Sequence, residues 1–196
     1  QNPEHHNFWF AKTGSMVSWQ FNTTKAPYDD VNFRKAMSMA IDRDQITSIA
    51  MNNYTSPADC TGLSNAYASW VDSSVAGSCT WTKRDVAAAN TMLDDAGYKV
   101  GSDGLRTNKD GSPLNVSLSV GSASSDWLSV MNIIAQNLAD VKVKATVDAP
   151  DWASVVSGYE NGTFDTGIVW SPNAATPYQY FRNTLSNDTV KPVGTK

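Results

Sequence analysis

Aromatic side chains are the groups in this sequence best suited to bind a ligand. The chain has seven tryptophans and seven tyrosines, more than the core of a domain of 196 residues needs. An indole or phenol ring offers a broad apolar face and one polar group, so it can stack on a ligand while its edge stays wet. We therefore expect some of these rings to face a ligand.

The signatures of the common enzyme classes are missing from the sequence. It contains no nucleophile elbow, no glycine-rich phosphate loop with lysine, no HExxH helix and no paired CxxC motifs. The two histidines, His5 and His6, are adjacent at one end of the chain, where a general base would be poorly held. The paired aspartates at 29–30 and 94–95 fall at predicted helix ends or on polar faces, where capping and solvation explain them. We expect no catalytic residue, no metal site and no cofactor.

The two cysteines and the net charge restrict the setting in which the chain works. Cys60 and Cys79 lie among Ser, Thr, Gly and Asp residues, where a buried core thiol would be out of place. We expect a disulfide, with two unpaired thiols as the alternative; closing a loop of about 20 residues would stabilise by roughly 3 kcal/mol, and such bonds persist outside the cytosol. A net charge of −4 provides no basic surface for nucleic acid.

Hydrophobic periodicity predicts the elements that would position these side chains. Strands are expected at 16–22, 114–120, 141–147 and 164–170, and helices after a cap at Asp29 or Asp30 and at 83–96, 124–139, 151–161 and 176–185. Residues 53–82 show no sustained period and are expected to form a long ordered loop. Strands separated by helices of this length predict an α/β fold, in which a mixed, mostly parallel sheet is flanked by helices and ligand binds at the carboxyl ends of the strands.

Four segments, in order along residues 16–185, resemble the extracytoplasmic solute-binding proteins of family 5, which bind peptides, nickel complexes or oligosaccharides. The segments are NTTKAP at 22–27 with DVNFRKAMSMAIDR at 30–43, the helix at 89–97 with GSDGLR at 101–106 and DG at 110–111, IIAQNL at 133–138 with the strand from 141, and DW at 151–152 with GTFD at 162–165.

The resemblance implies that the chain is one lobe of a larger two-lobed protein. Residues 1–196 would be a single domain, the second, ligand-binding lobe of a type II periplasmic-binding-protein fold, with 1–15 and 186–196 as its hinge-side edges. The partners implied are a ligand in the cleft between the lobes and the permease subunits of an ABC transporter. The protein would be a monomer in the periplasm or on the outer face of the cytoplasmic membrane, either free or lipid-anchored.

The resemblance also bears on the ligand. In peptide-binding members an aspartate soon after the family tryptophan pairs with the amino group of the peptide, whereas here Trp170 is followed by Ser171 and then Pro172. Without that carboxylate, a captured amine would be a buried, unpaired cation, which costs several kcal/mol. The run TPYQYFR at 176–182 is more similar to the oligosaccharide-binding branch. We therefore expect an oligosaccharide held by stacking and by neutral hydrogen bonds.

The resemblance places specific side chains in the cleft. Trp152 and Trp170 are expected to be stacking platforms, with burial in the core as the alternative. Ser171 and Asn173 are expected to be polar contacts unless they are plain turn residues. Two further sets are weaker candidates: Trp127, which could instead be a helix-packing residue, and the pair Trp70 and Trp81, which could form a specificity wall beside the disulfide loop.

Two other functions remain open at this point. The first is an oligopeptide-binding protein of the same family, which would hold its ligand through backbone hydrogen bonds. The second is a hydrolase acting on glycans, because clefts rich in aromatic residues also serve glycosidases. That reaction ordinarily needs two carboxylates about 5 to 10 Å apart across the cleft, and no predicted cleft segment supplies an obvious pair.

Overall fold

The computed structural model describes residues 14–190 and Pro192. Its strands are β1 (Val17–Phe21), β2 (Asn115–Ser119), β3 (Lys144–Asp148) and β4 (Thr166–Trp170). Its α-helices are α1 (Val31–Ala40), α2 (Arg43–Gln45), α3 (Ser73–Ala76), α4 (Val86–Asp95), α5 (Ser125–Asp140), α6 (Trp152–Asn161) and α7 (Tyr178–Leu185). A π-helical turn at Ile46–Ala50 continues α2, and short 3₁₀ helices span Asn65–Trp70 and Asn187–Thr189.

The four strands form one sheet in the order β1-β4-β2-β3. β2 pairs in parallel with both β3 and β4, and β1 pairs antiparallel with β4, from Val17 opposite Trp170 to Phe21 opposite Thr166. The helices that follow β2 and β3 return the chain to the same end of the sheet, which is what a parallel arrangement requires. The predicted α/β fold with a mixed, mostly parallel sheet is confirmed.

Most predicted elements are present, and two of them begin three residues later than expected for local reasons. The Asp85 side chain accepts a hydrogen bond from the Ala88 amide and caps α4 at Val86, so the helix starts three residues after the predicted position. Lys142 adopts a positive φ of 61° after α5, which keeps the chain out of the extended conformation until Lys144. Asp30, one of the two predicted caps, accepts bonds from the Asn32 and Phe33 amides and starts α1.

One continuous core joins the sheet to helices α1, α4 and α5. Its members come from all of these elements, and the most fully buried include Phe33, Met37, Leu93, Val116, Leu118, Met131 and Leu138. Arg106 is buried in the same core at 2% exposure, where its guanidinium bonds the Asp94 carboxylate at 2.7 Å and the Val141 carbonyl at 2.8 Å. The turns on either side of Arg106 contain Gly104 and Gly111 at positive φ, a conformation that glycine adopts without steric strain.

The stretch from 53 to 82 is a long loop closed by a disulfide between Cys60 and Cys79, as predicted. Most of the expected hinge-side edge at 1–15, with His5 and His6, lies outside the described residues, as does most of 191–196. The assignment of 1–196 to one lobe of a larger protein therefore stays a prediction. Within the residues described, no helix is long and apolar enough to cross a membrane.

Candidate ligand-binding site

The carboxyl ends of the parallel strands form one edge of the sheet, and three tryptophans lie there. Trp170 is the last residue of β4, Trp127 lies in the first turn of α5 after β2, and Trp152 is the first residue of α6 after β3. Because β2, β3 and β4 run in parallel, the residues that follow them gather at the same edge. The topology thus brings together side chains that are far apart in the sequence.

The three indole rings touch one another in a row. The ring centroids of Trp127 and Trp170 are 5.0 Å apart with planes inclined by 43°, and those of Trp152 and Trp170 are 5.4 Å apart with planes inclined by 36°. Both separations lie in the range of favourable aromatic pairs. Since both outer rings tilt against the central Trp170, the row is not flat. We call these three residues the tryptophan platform.

Trp152 is held by the residues on either side of its helix start. The Asp151 carboxylate accepts hydrogen bonds from the backbone amide of Ser154 at 3.0 Å and from its hydroxyl at 2.9 Å, and so caps α6. The bond from the Ser154 backbone amide, followed by that from its hydroxyl, lowers the pKa of Asp151 below its ordinary value. The Trp152 ring also packs on Gly121, where a β-carbon would come within 2.9 Å of the indole Cε3. Because residue 121 is a glycine, the indole ring of Trp152 can pack directly against the backbone just after β2.

The platform is open to solvent. Trp170 is 49% exposed and Trp152 is 39% exposed, while Trp127 is half-buried against the core. Trp152 and Trp170 are therefore not buried core residues, which was the alternative expectation. Half-exposed indoles at the ligand-binding edge of an α/β sheet present apolar faces on which a flat apolar surface can stack.

Ser171 and Asn173 follow the platform directly and are engaged with the segment that precedes β1. The Met16 amide donates to the Ser171 hydroxyl at 2.8 Å, and the Ser15 hydroxyl donates to the Ser171 carbonyl at 2.7 Å. The Ser15 amide donates to the Asn173 side-chain oxygen at 2.8 Å. The predicted polar contacts thus lie beside the platform, and they also fix two backbone segments to each other.

Carboxylates at this edge were missed by reasoning from the sequence. Asp126 immediately precedes Trp127, Asp148 ends β3, and Asp151 immediately precedes Trp152; all three are exposed. The adjacency of Asp126 and Asp151 to two candidate tryptophans is the signal in the sequence that could have identified those two; Asp148 has no such signal. The oxygens of Asp151 are occupied by the cap of α6, which leaves Asp126 and Asp148 as the acidic groups most able to meet a ligand.

The two candidate wall residues lie in different surroundings. Trp81 packs on α1: the Lys35 ammonium lies 4.7 Å from its ring centroid, and the Ser38 hydroxyl donates to its carbonyl at 2.6 Å. Trp70 ends the short 3₁₀ helix of the disulfide loop and is 59% exposed. That helix also carries Tyr67, whose hydroxyl reaches the segment after β4. The structure thus brings the disulfide loop, through Tyr67, against the segment that follows the platform, and it places the Trp81 ring beside Lys35 of α1.

Two other features of the described residues are distinct from the platform. An open depression of about 570 Å³ lies between α1 and α4 and is lined by Asn32, Ala88, Thr91, Met92, Asp95 and Ala96. Its lining residues belong to α1, to α4 or to the residue after α4, and none of them belongs to a strand or to the platform. Across residues 14–190, no group of three or more His, Cys, Asp or Glu side chains is arranged to hold a metal ion.

Solved structures that share this fold include a binding protein of an ABC transporter. The chain superposes with a TM-score of 0.80 on the crystal structure of a mannohexaose-bound periplasmic oligopeptide-binding protein of an ABC transporter from Thermotoga maritima, at 23% identity, covering 94% of this chain and 35% of that one. It superposes with a TM-score of 0.75 on NikA from Brucella suis in complex with Fe(III)-EDTA, at 22% identity, covering 88% of this chain and 34% of that one.

Sequence comparison identifies the same group. The periplasmic oligopeptide-binding protein OppA of Haemophilus influenzae is 24% identical over 194 residues, 93% of this chain and 33% of that protein. A probable ABC transporter-binding protein of Deinococcus radiodurans is 29% identical over 123 residues, 62% of this chain and 20% of that protein. The chain therefore spans a fifth to a third of the length of these relatives. Residues 2–192 match the family described as bacterial extracellular solute-binding proteins, family 5 Middle, and the chain belongs to that family.

Proposed function

We propose that this chain is the second lobe of the substrate-binding component of an ABC importer, and that it binds an oligosaccharide on the tryptophan platform. The observation that carries the proposal is the row of three touching indoles, two of them 39% and 49% exposed, at the carboxyl edge of the sheet. A pyranose ring has an apolar C–H face that packs on an indole and hydroxyls that need neutral donors and acceptors.

The residues after Trp170 support a neutral ligand. Pro172 stands where peptide-binding relatives are expected to have an aspartate, and the polar side chains on either side of it, Ser171 and Asn173, are uncharged. A mannohexaose-bound protein shares the fold over 94% of this chain, which supports an oligosaccharide as the ligand. In the proposed mechanism the sugar bridges two lobes joined by a hinge, and its higher affinity for the closed state shifts the population toward closure.

The state of Asp151 supports a non-enzymatic role. Glycosidases ordinarily flank the scissile bond with two carboxylates, one of which keeps a raised pKa to act as the acid. At this edge the pKa of Asp151 is lowered, not raised, and its oxygens are committed to the cap of α6. We therefore propose binding without turnover, and a chromogenic glycoside should remain unhydrolysed.

An oligopeptide is the second candidate ligand. OppA from Haemophilus influenzae, which the chain matches over 93% of its length, is named an oligopeptide-binding protein. In this chain the exposed carboxylate of Asp126, beside Trp127, would be available to pair with a peptide amine in place of the missing aspartate. The oligosaccharide is preferred because the platform offers ring faces, whereas the acidic group lies at its margin.

Titrations followed by the indole N–H resonances of the 196-residue chain would separate the two ligands. With mannohexaose, we expect the resonances of Trp127, Trp152 and Trp170 to shift with an affinity of about millimolar or weaker, because one lobe holds only half of the contacts. Trp81 is the internal control, since its ring lies on α1. Shifts with alanine pentapeptide and none with mannohexaose would replace the sugar by a peptide. A micromolar constant for this chain alone would contradict the two-lobe account.

A further inference from the structure

Three segments meet beside the platform, and one side chain of the disulfide loop joins them. The Tyr67 hydroxyl donates a hydrogen bond of 2.7 Å to the carbonyl oxygen of Ala174, 107 residues further along the chain. Tyr67 is 4% exposed, so the donor side of this bond is buried. The same hydroxyl lies so close to Gly14 that a β-carbon there would overlap it. The ring thus lies at the junction between residues 14–16 and residues 171–174.

The two segments that Tyr67 touches are the ones already joined by hydrogen bonds. Ser15 and Met16 donate three hydrogen bonds to Ser171 and Asn173. Ala174 is the next residue, and it is exposed, as are Ala175 and Thr176. The hydrogen bond from Tyr67 to Ala174 therefore attaches the exposed residues 174–176 to a buried, neutral hydroxyl.

The disulfide loop has other attachments that make Tyr67 a rigid support. Cys60 and Cys79 close the loop on either side of Tyr67. At its far end, Arg43 of α2 donates to the Thr82 carbonyl at 3.0 Å. At its near end, Gly62 has a φ of 63° and lies directly against the hydroxyl of Tyr180 in α7, where a β-carbon would come within 2.6 Å. The loop thus contacts a helix on each side of Tyr67 along the chain.

From this geometry we infer that Tyr67 is a positioning residue for the ligand site, and that the Cys60–Cys79 disulfide acts on the site through it. The inference rests on the proposed function insofar as residues 171–174 border the ligand. Tyr67 does not need to touch the ligand. It holds the backbone that carries Ser171 and Asn173 in place before the ligand arrives. Binding therefore does not include the entropy cost of ordering these two residues.

Backbone resonances test the positioning without any ligand. The amide of Ala175 belongs to the same peptide unit as the Ala174 carbonyl, so its chemical shift reports the hydrogen bond from Tyr67. We expect Tyr67→Phe to move the Ala175 resonance and to raise fast motion across 172–176. Tyr54→Phe is the matched control, because it removes a hydroxyl from a tyrosine that is 65% exposed. Gly14→Ala should reproduce the effect from the other side by displacing the Tyr67 ring.

A double-mutant comparison tests the path from the disulfide. Replacement of both cysteines by serine should move the Ala175 resonance in the wild-type background. It should leave the resonance unchanged in the Tyr67→Phe background, because that variant already lacks the hydrogen bond to Ala174. A purely structural role for Tyr67 would lower the melting temperature without this dependence. Equal effects of the cysteine replacement in both backgrounds, or no movement of Ala175 in Tyr67→Phe, would overturn the inference.

Binding completes the test and separates it from the proposed function. For whichever of mannohexaose or alanine pentapeptide shifts the indole resonances, Tyr67→Phe should weaken affinity about two- to tenfold, the equivalent of one hydrogen bond, and Tyr54→Phe should not. Unchanged affinity in Tyr67→Phe would overturn the positioning role even if Ala175 moves. If neither probe binds the wild type, the proposed function fails, and the Ala175 comparison alone decides the inference.

Discussion

The contact between Gly121 and Trp152 gives a sharp test of how the platform is built. A β-carbon at position 121 would lie 2.9 Å from the Cε3 atom of Trp152, closer than packed carbons tolerate. The ring is 39% exposed and can swing outward, so Gly121→Ala should displace the side chain without distorting the strand. The displaced ring then loses its contact with Trp170, whose centroid is 5.4 Å away.

Gly121→Ala changes two contributions to the free energy of unfolding, and their sum sets the size of the expected effect. Loss of the ring pair should cost about 0.5–1.5 kcal/mol, while replacement of glycine by alanine stabilises by about 0.4–1 kcal/mol through the unfolded chain. Gly77→Ala, where nothing lies within 4 Å of the added carbon, isolates the second term. Gly121→Ala should therefore be less stable than Gly77→Ala by about 1 kcal/mol, or roughly 2–4 °C in Tm for a chain of this size.

Urea unfolding of a double-mutant cycle is the assay that identifies the cause. In a Trp152→Ala background the added carbon meets no ring, so Gly121→Ala should behave like Gly77→Ala and stabilise slightly. A coupling free energy of about 1 kcal/mol between positions 121 and 152 is the expected result. Equal costs of Gly121→Ala with and without the indole would refute the reasoning, because the penalty would then come from the backbone.

Three further predictions concern the scaffold. Arg106→Met should destabilise by about 3 kcal/mol in urea unfolding, because buried carbonyls that bond the guanidinium lose their donor. Burial alone would raise the pKa of Asp30, but hydrogen bonds from Lys109 and from backbone amides outweigh it and hold the pKa below its ordinary value. Asp30→Asn should therefore be less stable than wild type at neutral pH. This difference in stability should vanish as pH falls through the lowered pKa, and Tm measured against pH checks it. Burial raises the pKa of Tyr159 to about 12. The stabilising contribution of its neutral phenol is therefore complete below pH 10 and is lost as pH rises through 12. The absorbance difference at 295 nm between wild type and Tyr159→Phe should have its midpoint near pH 12.

The parts of the fold that depend on local signals could be predicted from the sequence. The cap at Asp30, one of the two aspartates predicted for that role, depends on side-chain chemistry within a few residues, and the structure has it. The cysteine environment predicted the disulfide, and the four family segments predicted the membership and the extracytoplasmic setting, which the family match confirms. Parallel strands predicted the edge at which the ligand site should lie.

Contacts between distant segments could not be predicted in the same way. The bond from Tyr67 to Ala174 and the close packing of Trp152 on Gly121 each join residues with no shared local pattern. Trp81 shows the same limit, because the sequence suggests a wall residue beside the disulfide loop but gives no sign that its ring lies against Lys35 of α1. Tertiary packing alone decides which aromatic side chain reaches which surface.

A crystal structure of the protein bound to mannohexaose tests the central claim most directly. We predict that the apolar face of a pyranose ring stacks on Trp170 or Trp152, with sugar hydroxyls bonded to neutral groups of the segment that begins at Ser171. A sugar bound away from the platform, or an indole row that stays bare while a peptide amine pairs with Asp126, would contradict it.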